Sequence, residues 1–139
     1  MTFLNTDVLS ETEARLKNPL ALAFVGDSVW DLLVRQQLLH SDAHAGALHK
    51  KASTVVNAAA QAEAARRLEP QLFEAEQAVY RRGCNAHAHH QPPKNQTPQD
   101  YSLASGLEAL FGYLYLTGQY ERLLMLYRAA NMSDTNPNA

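Results

Sequence analysis

The chain has 139 residues, 46% of them hydrophobic, with six glycines, one cysteine and a formal charge of −2. Such a length makes one domain of ordinary size with a single core, and the lone Cys84 excludes an intrachain disulfide framework. No window alternates like a half-buried strand, no basic-then-apolar leader suggests secretion, and the small net charge leaves any nucleic-acid contact to a local patch. The expectation is a soluble, cytoplasmic, all-α protein.

In chain order, Ser10 followed three residues later by Glu13 has the spacing of a capping box, so a short helix is expected within residues 10–17. Asn18 and Pro19 then form a cap-and-first-turn signal. They open a long helix to Leu39 that is apolar on almost every side and reads as the central helix of the core. It is interrupted by Asp27, Asp31 and Arg35, which argues against a membrane span. His40–Gly46 breaks the pattern. Ala47–Leu68 is helical and alanine-rich, with Ser53-Thr54 as a place where it divides. Pro70 is expected to start the next helix and Gly83 to stop it. Residues 83–97 are irregular, and a loop of that length in a compact domain is commonly functional or disordered. Thr97-Pro98 caps a helix running to about Thr117, with Asp100 as the acidic partner of the cap. Gly118 stops it, Gln119–Ala130 forms the last helix, and residues 131–139 read as a disordered tail. The domain is thus residues 1–130.

Two of these helices carry an acid in mid-course among apolar neighbours. Asp27 shares its face with Ala23, Phe24, Trp30 and Asp31; Glu108 lies among Ala104, Ser105, Phe111 and Gly112. An unpaired buried charge costs several kcal/mol, so each acid needs a partner: a protein cation such as Arg35 or Arg66, a backbone donor, or a metal ion. Small residues beside Glu108 leave room for another helix to come close. Two carboxylates meeting there could hold Mg²⁺, which is typically bound by one or two carboxylates together with substrate phosphates.

The segments L-A-F-V-G-D-S-V-W-D and G-L-E-A-L-F-G-Y-L-Y-L resemble the two signatures of the ribonuclease III fold. Across about residues 19–128 the chain resembles the Mini-ribonuclease III branch in particular. The likeness continues through L-H-K-K-A-S (48–53), Q-A-E-A (61–64), R-R-G-C-N-A (81–86) and P-K-N (93–95). The resemblance implies an all-α, homodimeric, Mg²⁺-dependent endoribonuclease without a separate double-stranded-RNA-binding domain. It also implies cleavage of double-stranded RNA to 5′-phosphate and 3′-hydroxyl ends, in the maturation of large-subunit (23S) ribosomal RNA precursors. By motif match Asp27 and Glu108 are the catalytic and metal-binding acids. Two further acids of the longer ribonuclease III enzymes are replaced here by Ala23 and Ser105, a reduction shared by the Mini-III pattern. One tightly held ion is expected, any second arriving with the RNA. Cys84 stands where a basic residue is expected.

A duplex-RNA enzyme reads A-form shape, phosphates and 2′-hydroxyls, which calls for cations and amides near the acids. Lys50, Lys51, Arg81, Arg82, Asn85, Lys94 and Asn95 lie in the family-like segments and are the candidate RNA contacts. Arg66-Arg67 reads as a solvated helix face. Asp31 is a candidate for a supporting role near Asp27, whereas Asp100 is explained by its cap. Cys84, His87, His89 and His90 lack the second half of a structural zinc site. No nucleophile triad or glycine-rich phosphate loop is present. The alternative is a catalytically inactive RNA-binding module of the same fold, acting in ribosome assembly.

Overall fold

The computed structural model describes residues 4–40, 44–86, 92 and 94–131. Among them the chain is helical, with no strand: α1 (Glu11–Arg15), α2 (Pro19–Leu38), α3 (Ala45–Val55), α4 (Ala58–Leu68), α5 (Glu74–Asn85), α6 (Pro98–Leu116) and α7 (Tyr120–Ala130). None of these helices is long and apolar enough to cross a membrane.

The expected start signals operate. The Ser10 side chain accepts from the Glu13 backbone N–H while Glu13 accepts from the Ser10 N–H, closing the capping box of α1. Asn18 Oδ1 accepts from the Leu20 N–H at 2.8 Å, and Thr97 Oγ1 from the Asp100 N–H at 3.1 Å. Gly118, with φ +74°, ends the α6 segment in the left-handed conformation that glycine adopts at no steric cost.

The centre of the fold is α6, not α2. Residues 104–107 and 109–114 are all buried along α6, and α2, α4 and α5 pack around it. α2 buries only Leu22, Ala23, Gly26, Trp30 and Val34. Phe24 is 80% exposed and Leu32 58% exposed, so the apolar composition of α2 serves two surfaces, one of them open. Trp30 joins three helices, meeting Phe111 of α6 and Tyr127 of α7 edge-on at centroid distances of 5.0 and 5.2 Å. Each such pair contributes roughly 0.5–1.5 kcal/mol beyond its buried area.

Three boundaries differ from expectation. Gly83 does not stop a helix: α5 runs through it to Asn85, and Gly83 is buried against α6, where an added Cβ would lie 2.7 Å from Ala109 Cβ. The glycine is there for close packing. Pro70 starts only a 3-10 turn, Glu69–Gln71, and α5 begins at Glu74. The alanine-rich segment divides at Val56 and Asn57, where Asn57 Oδ1 accepts from the Ala60 N–H at 2.9 Å, and not at Ser53-Thr54. Residues 87–91, which include His87, His89 and His90, and all of the expected tail except Asn131 lie outside the described residues.

Candidate active site

The two acids meet because two glycines let α2 and α6 cross with their backbones in contact. A Cβ added at Gly26 would sit 1.6 Å from the Glu108 carbonyl oxygen, and one at Gly112 would sit 1.9 Å from the Leu22 carbonyl oxygen. Gly26 immediately precedes Asp27, and Gly112 lies one turn beyond Glu108. The crossing therefore holds the main chains beside both acids at a separation that no other residue type permits.

Asp27 and Glu108 lie within hydrogen-bonding reach of each other. Their environments differ. Asp27 is exposed, which corrects the expectation that it is enclosed by apolar neighbours; Glu108 is half-buried. Burial first, then the hydrogen bond with Asp27 and the Asp27 charge, push the Glu108 carboxyl up to about 9. A carboxyl in that state keeps its proton beside a second carboxylate, as closely spaced acids do in the absence of a cation.

The protein itself supplies no such cation among the described residues. Arg35 pairs with Asp31 at 3.0 Å, and Arg66 pairs with Glu63 at 2.8 Å and with Asp100 at 3.3 Å. Both arginines that could have neutralised the acids are occupied elsewhere. The same contacts explain Asp31 and Asp100: one is half of a helical i,i+4 pair, the other joins its capped helix to α4. No cluster of three or more His, Cys, Asp or Glu side chains that could hold a metal ion occurs among the described residues, so none of them joins the acid pair as a third member.

The candidate RNA contacts are distributed over several elements. Lys50 and Lys51 are exposed on α3, Arg81 and Asn85 are exposed on α5, and Lys94 and Asn95 are exposed in the segment before α6. Asn95 adopts φ +72°, a left-handed conformation that asparagine tolerates better than most residues. Arg82 is exposed too, but its guanidinium donates to the carbonyl oxygens of Arg15 and Lys17, bracing the turn between α1 and α2. Nothing in the Arg81-Arg82 doublet distinguishes the free cation from the braced one. The end of α5 is itself fixed, because Ser102 Oγ of α6 donates to the Cys84 carbonyl oxygen at 2.8 Å.

Comparison with known proteins identifies the family. The sequence profile of the Ribonuclease III domain matches residues 20–119, which includes both acids. A Mini-ribonuclease 3 of Symbiobacterium thermophilum is 45% identical over 81% of this chain and 86% of its own length. One from Thermoanaerobacter is 41% identical over 88% of this chain and 87% of its own. A crystal structure of a Fusobacterium nucleatum protein superposes with a TM-score of 0.75 at 28% identity, covering 82% of this chain and 91% of that one. The chain belongs to the ribonuclease III family, in its Mini-ribonuclease 3 branch, and is an endoribonuclease.

Proposed function

We propose that the chain cleaves double-stranded RNA by hydrolysis, with Mg²⁺ held by Asp27 and Glu108, leaving 5′-phosphate and 3′-hydroxyl ends. The observation that carries this reading is the half-buried Glu108 carboxyl beside Asp27, with no protein cation among the described residues to neutralise the pair. Two adjoining carboxylates of this kind fit a hard, oxygen-seeking divalent ion whose remaining positions go to water and phosphate. The chemistry the ion supplies when bound is activation of a water and charge stabilisation at phosphorus. Asp27 is the exposed member of the pair and Glu108 the deeper one.

The substrate side rests on exposed donors. Lys50, Lys51, Arg81, Lys94 and the amides of Asn85 and Asn95 suit phosphates and 2′-hydroxyls of an A-form duplex. Arg82 contributes its charge while it braces the α1–α2 turn. One protomer presents a small surface, and a homodimer would double it. The open apolar strip of α2, with Phe24 and Leu32, is the face that supports such pairing. Large-subunit ribosomal RNA precursors are the proposed substrate and the cytoplasm the proposed site of action.

Incubating the full chain with a long RNA duplex or a ribosomal precursor transcript tests the reading. Discrete cuts in Mg²⁺ that stop on chelation are the expected result. Intact RNA at stoichiometric protein in Mg²⁺ overturns the catalytic assignment.

A further inference from the structure

We propose that the trough between the C-terminal half of α2 and α7 holds an unpaired ribonucleotide of the RNA substrate, beside the cut duplex and outside the acid pair. This deepens the double-stranded-RNA reading and rests on it. The trough, about 480 Å³, falls within the size range of small-ligand sites, roughly 300–1,000 Å³. Its α2 wall is Leu33, Gln36, Gln37 and His40. The opposite wall, from α7 and its cap, is Leu124, Tyr127, Arg128 and Asn131. Both sets have the i, i+3, i+4, i+7 spacing of one helix face, and on each the leucine comes first and the polar groups follow.

Three features point to a nucleotide. First, the faces that neighbouring helices turn toward each other are ordinarily apolar, whereas these two are mostly polar. Buried Tyr127 bridges them by donating its hydroxyl to Gln37 Oε1 at 2.6 Å. Gln36, His40 and Arg128 are exposed, and their side chains have no hydrogen-bond or ion-pair partner among the described residues. Second, the groups are of the kinds that read a base. The amides of Gln36, Gln37 and Asn131 offer donors and acceptors to a base edge. Half-buried Leu33 and Leu124 offer apolar surface to its face, and a guanidinium such as that of Arg128 stacks on a base or meets its phosphate. No acid lines the trough: on α2 Asp31 is held by Arg35 at 3.0 Å, and on α7 Glu121 lies seven residues before Arg128. Third, the trough stands apart from the acids by a distance a strand can span. Its α2 face lies roughly a third of a turn round the helix from Asp27. Gln37 is ten residues further on, about 15 Å along the axis. Paired bases over the acids keep their edges in the stack, whereas a strand that leaves the duplex presents its bases singly, the form in which RNA bases are commonly read.

The test is binding by the full chain in chelator, where no cutting intervenes, of a blunt RNA duplex and of the same duplex with a short single-stranded extension at its 3′ or 5′ ends. Wild type is expected to bind one of the extended forms about tenfold more tightly than the blunt one, the scale of one good side-chain-to-base hydrogen-bond pair. The double variant Gln36→Ala/Arg128→Gln leaves the Gln37–Tyr127 bond intact. It is expected to bind blunt and extended duplexes alike, and to cut the blunt duplex in Mg²⁺ near the wild-type rate. Because the readout is a ratio, a general loss of cationic charge does not move it. Gln36→Ala alone, which changes no charge, should lower the ratio in part. Equal affinity of wild type for blunt and extended duplexes, or an unchanged ratio in the double variant, overturns the trough while leaving the nuclease reading intact. So does binding of free adenosine monophosphate without any preference for the extended duplex, which would assign the trough to a free nucleotide. A wild-type chain that neither binds nor cuts duplex RNA removes both.

Discussion

Two glutamates are withdrawn from solvent in this fold, and they are treated in opposite ways. Glu76, 3% exposed, receives the guanidinium of Arg122 in a bidentate pair with both distances at 2.8 Å. Arg122 in turn donates to the Gln71 carbonyl oxygen and lies 4.0 Å above the Phe73 ring. Every charge there has its counter-charge inside the protein. Glu108 is also drawn inward, yet its neighbour is Asp27, another acid. A fold that can place an arginine against one buried glutamate and leaves another facing a carboxylate fits the proposal that an external cation completes the second site. The first glutamate serves stability, and the second, in the proposed function, serves chemistry.

The comparison can be broken at either end. Asp27→Asn and Glu108→Gln should each lower cleavage of duplex RNA by on the order of 10³-fold, several kcal/mol of transition-state stabilisation, with the helical content unchanged by circular dichroism. Glu76→Ala should leave the acid pair alone but strand Arg122, costing about 3–5 kcal/mol of stability by denaturant titration. Residual activity per folded molecule should stay near wild type.

The smallest effect sharpens the contrast. In the metal-free protein Glu108 keeps its proton well above the usual 4.5, up to about 9. The folded state therefore binds more protons than the unfolded chain across that interval, and this contribution to stability declines as pH rises through it. Thermal melts in chelator should show this decline in the wild type and a weaker one in Glu108→Gln.

Much of this was legible in the sequence, for local reasons. Ser10 with Glu13, Asn18 with Pro19 and Thr97 with Pro98 are cap signals satisfied within a turn, and they mark the starts of α1, α2 and α6. Asp27 and Glu108 stood out as acids on mostly apolar helices, but their partners were left open by the residues alone, and it was the resemblance to the two ribonuclease III signatures that joined them. What could not be read depends on partners distant in the chain. Gly83 looks like a helix stop because helices end on glycine; only the backbone of α6 against it makes it a packing residue. Phe24 and Leu32 look like core by composition, and only the position of α6 leaves them open. Arg81 and Arg82 are adjacent and chemically equal, and the carbonyls of a turn 65 or more residues away separate them.

The crossing at Gly26 and Gly112 carries one more implication. Because main chain rests on main chain there, the gap between the acids is a property of the scaffold and is insulated from changes in side-chain volume elsewhere in the interior. Tuning the proposed centre for an ion of another radius would then be a matter of carboxylate arm length, one methylene at a time, on a mount that does not give.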